Sequence, residues 1–182
     1  RGAVAAVLPR IAHDKEVTKL IHAMVRIRNL GIKEVLVGNL GLVLPAREAG
    51  MHVGFYYSLL DWRFPGYFEP EKYPESKAAL IEQIFGQVRE LMTNYGEIVE
   101  VWFDGACGEG PNGKKQKYDW DRYYETIRKY QPDAIIANCG PDVRWIGNEA
   151  GKTRKAEWSV IPWTDDILDS IAEKSQKNEA HG

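Results

Sequence analysis

Short apolar runs alternate with longer amphipathic stretches along most of this chain. Apolar runs bounded by turn residues are typical of β-strands, and amphipathic stretches with helical spacing are typical of α-helices. The predicted strands span residues 4–8, 34–37, 52–58, 98–103 and 134–138, and the predicted helices span residues 15–29, 75–95 and 120–130. The alternation predicts repeated βα units around a parallel sheet.

The number of predicted units limits the fold. Five strands, or six if residues 158–161 form one, are fewer than the eight that close a (β/α)₈ barrel, and 182 residues are fewer than such a barrel usually has. We therefore expect an α/β fold of the incomplete or rearranged TIM barrel type, as one domain over residues 1–182. Residues 164–182 are predicted to be a terminal helix and tail. Open sheet edges predict a homo-oligomer that completes the barrel.

Composition and spacing argue against several classes of function. A net charge of -2 with no long basic block argues against nucleic acid, and no apolar run approaches the roughly 20 residues of a membrane span. The two cysteines and four histidines have no metal-ligand spacing, so no metal is predicted. The composition predicts a soluble protein. The chain starts without Met, which indicates trimming and leaves its location unpredicted.

Acidic residues follow the ends of the predicted strands, in SLLDW, FDG and NCGPDVRW. Since reacting groups gather at the carboxyl ends of parallel strands, Asp61, Asp104 and Asp142 are candidates, together with Glu149 further along. Asp104 stands out because the apolar run VEVWF ends directly in this carboxylate, with Gly105 behind it. The alternative is that Asp104 makes a turn or caps a helix, which is a common use of Asp-Gly.

A second carboxyl group would make glycoside hydrolysis possible, because that reaction needs one carboxyl to attack or activate water and another to protonate the departing oxygen. Glu149 lies in the segment GPDVRWIGNEAG, near Arg144 and Trp145. A carboxyl against an indole tends to stay protonated, as a general acid must. The alternative is a solvated loop residue. Six Trp and nine Tyr also suit a carbohydrate site, although most could be core residues.

Three longer segments carry a family resemblance: GFYYSLLDWRFPGYF, VRELMTNYGEIVEVWFDGACGEGPNGKKQKYDW and QPDAIIANCGPDVRWIGNEAG. Over about residues 52–158 the chain resembles the α-L-fucosidases of glycoside hydrolase family 29, and most of all the branch that acts on α-1,3/1,4-linked fucose. The resemblance implies a catalytic part over residues 52–163. It also implies a retaining double displacement with Asp104 as the nucleophile and Glu149 as the acid/base.

The resemblance further implies the surroundings of that pair. The fucose pocket would be lined by Trp62, Trp102, Arg144 and Trp145, and the neighbouring sugar would be reached by Glu109 and Asp142. The substrate would be a fucosylated oligosaccharide or glycoconjugate, with no cofactor. Members of the family are often periplasmic or secreted.

The first 50 residues differ from that family pattern. The His-Phe-Gly and His-His-Asp-Gly stretches that hold fucose hydroxyls are absent, and VLPRIAHDKE and GIKEVLVGNLGLVLPAREAG resemble collagenase-like peptidases instead. This predicts foreign βα units over residues 1–50, a chimeric or rearranged chain, and reduced activity. The alternatives are a non-catalytic carbohydrate-binding protein or a designed scaffold. A peptidase is disfavoured because no nucleophile, base or metal set accompanies the segment.

Overall fold

A computed structural model describes residues 4–105, 116–138, 141–143 and 145. These residues form one sheet of five strands with helices between them. The strands are β1 (Ala5–Val7), β2 (Glu34–Val37), β3 (His52–Ser58), β4 (Ile98–Asp104) and β5 (Ile135–Asn138), and the helices are α1 (Asp14–Asn29), α2 (Val43–Glu48), α3 (Pro74–Asn94) and α4 (Trp120–Tyr130).

The strands are all parallel and lie in the order of the chain, β1-β2-β3-β4-β5. The predicted α/β fold with a parallel sheet is therefore confirmed. Because every strand runs the same way, all the carboxyl ends lie along one edge of the sheet. At that edge Ser58, the last residue of β3, pairs with Asp104, the last residue of β4.

The hydrophobic core lies between the sheet and its helices. Alternate residues of β3 and β4 face the helices, and Phe55, Val101 and Phe103 are almost fully buried there. The facing side of α3 is a stripe with a spacing of four residues, formed by Leu80, Ile84, Val88 and Met92. This stripe confirms the helical period that the sequence predicted.

The intervening residues of these strands lie on the opposite face of the sheet. Tyr56, Trp102 and Asp104 are half-buried on this face, whereas their neighbours in sequence face the helices. The strands approach closely there, because a Cβ on Gly54 would lie 3.0 Å from both the Cβ and the carbonyl oxygen of Glu100. Burial raises the pKa of Glu100. The face that carries Asp104 is therefore partly shielded from water.

Local signals explain where the helices begin. The side chain of Glu16 accepts the His13 backbone N–H at 2.9 Å before α1, Pro74 occupies the first turn of α3, and Asp119 caps α4 through the Arg122 N–H. The short helix α2 was not predicted, because six residues show too little of the helical period. No helix in the described part of the chain is long and apolar enough to cross a bilayer.

Candidate functional site

Asp104 lies at the carboxyl edge of the sheet, at the end of β4, where sites of parallel α/β proteins are found. Its main chain is fixed there, since its carbonyl oxygen accepts the N–H of Leu59 at 2.8 Å. The side chain is half-buried and lies on the face opposite the helices. The sequence predicts a carboxylate directly after the strand, and in the structure Asp104 is the last residue of that strand. Its catalytic role stays a prediction.

Both carboxylate oxygens of Asp104 accept a hydrogen bond. The Tyr56 hydroxyl donates to Oδ2, and the Gly105 backbone N–H donates to Oδ1 at 2.7 Å. The second contact is local, as expected if Asp104 makes a turn. The first contact comes from the neighbouring strand β3 and has no function in a turn. Together they fix the orientation of the carboxylate and leave each oxygen further capacity to accept a bond.

Tyr56 remains a hydrogen-bond donor at ordinary pH. Burial, the hydrogen bond to Asp104 and the charge of Asp104 raise the pKa of Tyr56 to about 12. The nearby guanidinium of Arg10 acts in the opposite direction, with its Cζ 5.7 Å from the centre of the Tyr56 ring. The Tyr56 hydroxyl therefore keeps its proton beside the carboxylate.

Gly105 has a conformation that other residues adopt at a cost. Its φ is +83°, in the left-handed region, and a Cβ there would lie 2.5 Å from Cγ of Leu60. The loop after β3 therefore packs directly against the backbone that follows Asp104. This close approach explains why glycine follows the carboxylate.

The aromatic residues predicted for the pocket lie in different surroundings. Trp102 is half-buried, two residues before Asp104 on the same strand and face, and it pairs with Tyr56. Trp62 lies in the loop after β3 with 70% of its surface exposed. Trp145 is half-buried. Of these three, only Trp102 shares a strand face with Asp104.

Asp61 is not suited to proton donation. The guanidinium of Arg63 donates to its two oxygens at 2.7 and 2.6 Å, and the amide of Gln83 donates to Oδ2 at 3.2 Å. The hydrogen bonds from Arg63 are the main cause that lowers the pKa of Asp61 to about 2. Asp61 is therefore ionised at neutral pH and acts as an acceptor.

Asp142 makes contacts that favour a structural role. Its Oδ1 accepts from Arg128 of α4 at 2.6 Å, and its Oδ2 accepts from the Ile136 backbone N–H at 2.7 Å. Ile136 pairs with Val101, three residues before Asp104, which corresponds to about 10 Å along the strand. The carboxylate of Asp142 therefore ties the chain after β5 to β5 and α4, away from the edge where Asp104 lies.

Three predicted site residues, Glu109, Arg144 and Glu149, lie outside the described residues. Of the predicted carboxyl pair, Asp104 lies among the described residues and Glu149 does not. Within the described ranges, no group of three His, Cys, Asp or Glu side chains could hold a metal ion.

The sequence analysis missed Tyr56 and Arg10. A signal for Tyr56 was present in VGFYYS, because alternation along the predicted strand puts Tyr56 and Tyr57 on opposite faces. Tyr57 packs towards the helices, with its ring centre 6.0 Å from that of Phe103. No comparable signal marked Arg10, which reaches Tyr56 from the loop after β1.

Comparison with known proteins relates this arrangement to one family. The family model described as alpha-L-fucosidase matches residues 25–167. Alpha-L-fucosidase 1 of Arabidopsis thaliana is 38% identical over 143 residues, which are 78% of this chain and 26% of that protein. The chain thus spans about a quarter of the length of this curated relative. The family match begins inside residues 1–50, the segment for which another barrel lineage was predicted.

Solved structures agree with this relationship. A candidate alpha-L-fucosidase from Bacteroides ovatus superposes with a TM-score of 0.62 at 29% identity, covering 99% of this chain and 38% of that one. A glycoside hydrolase 29 family member from an unknown rumen bacterium has a TM-score of 0.58 at 24% identity, over 96% of this chain and 41% of that one, and supports the fold alone. Because the family model matches well over half of the sequence, the chain belongs to the alpha-L-fucosidase family.

Proposed function

We propose that this chain carries the nucleophile of a retaining α-L-fucosidase that removes α-1,3/1,4-linked fucose from oligosaccharides or glycoconjugates. The observation that carries the proposal is the position of Asp104 at the carboxyl edge of the sheet, with Tyr56 and the Gly105 N–H orienting its two oxygens. Membership of the family favours a hydrolase over a non-catalytic sugar-binding protein or a scaffold.

In the first step an oxygen of Asp104 attacks the anomeric carbon of fucose. The bond from that carbon to the leaving oxygen breaks, its electron pair goes to the leaving oxygen, and Glu149 supplies the proton. The product is a fucosyl ester of Asp104. In the second step Glu149 takes a proton from water, the water oxygen attacks the same carbon, and the ester bond breaks. Two inversions keep the configuration, and Asp104 returns as a carboxylate.

Tyr56 acts on the orientation of the nucleophile. A hydrogen bond from its hydroxyl fixes Oδ2 of Asp104, so the carboxylate loses little rotational freedom when the sugar binds. The raised pKa of Tyr56 keeps the proton on the tyrosine at neutral pH. A second anion therefore does not form beside Asp104.

The other members of the site are carried over from the family resemblance. Trp102 would line the fucose pocket beside Asp104, as its place on the same strand face supports. The same lining role is proposed for Trp62, Arg144 and Trp145, and contact with the next sugar is proposed for Glu109. Asp142 was predicted to share that contact, but its bonds to Arg128 and Ile136 argue against it.

A TIM-type barrel is part of the proposal. The parallel strands in chain order, with helices packed on one face, support that architecture. Completion of the barrel by a second copy of the chain stays a prediction, as does the peptidase-like origin of residues 1–50.

The test is release of nitrophenol from an aryl α-L-fucoside by the unchanged chain and by Asp104→Asn. We expect Asp104→Asn to lose activity by about three orders of magnitude or more, because a neutral amide is a far poorer nucleophile than a carboxylate. The matched control is Glu100→Gln, an acidic residue of the same strand and face that lies away from the edge. Equal activity of Asp104→Asn and the unchanged chain would overturn the assignment, and an inert unchanged chain would overturn the proposed activity.

The configuration of the product tests the retaining mechanism separately. Proton NMR during the first minutes of hydrolysis should show α-L-fucose before mutarotation. Initial formation of β-L-fucose would mean inversion, and Asp104 would then activate water instead of forming an ester.

A further inference from the structure

Arg10 is fixed at the carboxyl edge of the sheet by the two residues before it. The Leu8 N–H donates to the Leu36 carbonyl oxygen at 3.0 Å, so the chain stays bonded to β2 one residue beyond the end of β1. Leu8 is also buried, with 7% of its surface exposed. Pro9 follows, and its ring restricts φ and leaves no N–H to continue the ladder. The backbone of Arg10 therefore starts from an anchored position.

The aliphatic part of the Arg10 side chain crosses the end of β2. Val37 and Phe55 are the last paired residues of β2 and β3. Gly38 therefore follows at the level of Tyr56. A Cβ on Gly38 would lie 3.1 Å from Cγ and 3.9 Å from Cδ of Arg10, and the shorter distance is tighter than ordinary side-chain contacts. Glycine thus leaves open the path by which Arg10 reaches β3.

The guanidinium of Arg10 lies over the ring of Tyr56. Its Cζ is 5.7 Å from the centre of that ring, within the range of a cation–π contact. Among the described residues this guanidinium has no acidic partner. The same ring carries the hydroxyl that donates to Oδ2 of Asp104. Arg10, Tyr56 and Asp104 thus form a chain of contacts that extends from the loop after β1 to the end of β4.

We propose that Arg10 is a positioning residue for the nucleophile and acts by holding the ring of Tyr56. The inference rests on the proposed function, in which Asp104 attacks the sugar. A ring that a cation holds on one face has less freedom to turn away, so its hydroxyl stays directed at Oδ2 of Asp104. Arg10 does not need to touch the substrate for this effect.

The test is a double-mutant cycle on the hydrolysis of an aryl α-L-fucoside. Arg10→Met keeps an apolar stem and removes the cation, whereas Tyr56→Phe keeps the ring and removes the hydroxyl. If Arg10 acts through that hydroxyl, its substitution matters only while the hydroxyl is present. A contact of Arg10 with the sugar, or a loss of folded protein, would instead lower activity equally in both backgrounds.

We expect Arg10→Met to lower kcat about two- to fivefold with a smaller change in KM, as for loss of one exposed cation–π contact. In the Tyr56→Phe background the same substitution should leave kcat unchanged. Equal falls in kcat in the two backgrounds, or no fall in the background that keeps Tyr56, would overturn the proposal.

Gly38→Val displaces the Arg10 side chain and keeps its charge in the protein. Gly38 is exposed and lies outside the left-handed region, so valine fits its backbone. We expect a fall in kcat similar to that of Arg10→Met, and no further fall when the two substitutions are combined. Additive falls would overturn the proposed path of the side chain.

The matched control is Lys129→Met. It removes a cation whose Nζ is 5.2 Å from the ring centre of Tyr130, at the end of α4, and it should leave kcat unchanged. A fall in kcat equal to that of Arg10→Met would show that loss of any such contact has this effect, and would overturn the specific role of Arg10.

NMR of Asp104 gives a readout that does not need hydrolysis. The ¹³C signal of its carboxylate should move in Tyr56→Phe, which loses the hydrogen bond, and by a smaller amount in the same direction in Arg10→Met. If the chain does not hydrolyse the fucoside but the signal moves in this way, the proposed fucosidase activity fails and the role of Arg10 stands. A signal that Arg10→Met leaves unchanged would overturn the role of Arg10, whether or not the chain is active.

Discussion

The hydroxyl of Tyr56 donates a hydrogen bond to Oδ2 of Asp104 across the boundary between β3 and β4. The two residues are far apart in sequence, and the strand register brings them together, because Ser58 pairs with Asp104 and Tyr56 with Trp102. The contact connects Asp104, the predicted nucleophile, to a residue to which the sequence motifs assign no role. Substitution of Tyr56 therefore tests whether this contact assists the nucleophile.

Tyr56→Phe removes the donor and keeps the ring. A hydrogen bond to a charged group contributes about 1.5–3 kcal/mol, so we expect kcat to fall by roughly tenfold or more with a smaller change in KM. Steady-state hydrolysis of an aryl α-L-fucoside measures both. Tyr95→Phe is the control, because the Tyr95 hydroxyl binds Glu90 on α3 and not Asp104. Kinetics of Tyr56→Phe that equal those of the unchanged chain would show that the contact does not assist the nucleophile.

The raised pKa of Tyr56 predicts a loss of stability in alkali. A group whose pKa is higher in the folded than in the unfolded chain stabilises the fold below the unfolded pKa, near 10, and that contribution is lost as pH rises through about 12. Above pH 10 the unfolding free energy of the unchanged chain should therefore fall relative to that of Tyr56→Phe. Urea denaturation at pH 8 and pH 11 measures it. A constant difference would contradict the raised pKa.

Gly105→Ala tests the close approach of the two loops. The left-handed φ and the 2.5 Å separation from Leu60 predict a loss of about 1 kcal/mol or more in unfolding free energy, together with lower activity. Gly86→Ala is the matched control, because Gly86 lies within α3 and a Cβ there would project into open space. Alanine should stabilise a helix there by about 0.5–1 kcal/mol. Urea denaturation of both variants gives the comparison. Equal changes in unfolding free energy in Gly105→Ala and Gly86→Ala would contradict the predicted strain at Gly105.

Asp142→Asn distinguishes a structural role from a sugar contact. Loss of the charge weakens the bonds to Arg128 and Ile136, and we expect a decrease of about 1–2 kcal/mol in unfolding free energy with an unchanged KM for 3-fucosyllactose. Urea denaturation and oligosaccharide kinetics measure the two quantities. A raised KM with unchanged stability would instead restore the predicted contact with the neighbouring sugar.

Sequence periodicity predicted the sheet well because its strands are short apolar runs between turn residues. The main differences are at element ends, where β1 begins at Ala5 and β4 continues to Asp104. The order of the strands and their register depend on packing between distant segments. The contact of Tyr56 with Asp104 follows from that register, so the motif alone could not predict it.

The sequence motifs predicted the loops less well than periodicity predicted the sheet. Asp142 and Asp104 both follow predicted strands, and both were acidic candidates, although Asp104 stood out because an apolar run ends directly in it. Asp104 continues β4 to the edge, whereas Asp142 binds the backbone of Ile136 and the side chain of Arg128. The two residues differ in the hydrogen bonds that they form after the strand. The local sequence does not predict those bonds.

Trapping of the covalent intermediate tests the central claim most directly. A 2-deoxy-2-fluoro-L-fucosyl fluoride should form the ester with the nucleophile and slow its hydrolysis, because fluorine destabilises the electron-poor transition state of both steps. Peptide mass spectrometry of the chain after this reaction should find the fluorofucosyl group on Asp104. A label on another carboxylate, or no label on Asp104, would contradict the assignment of Asp104 as the nucleophile.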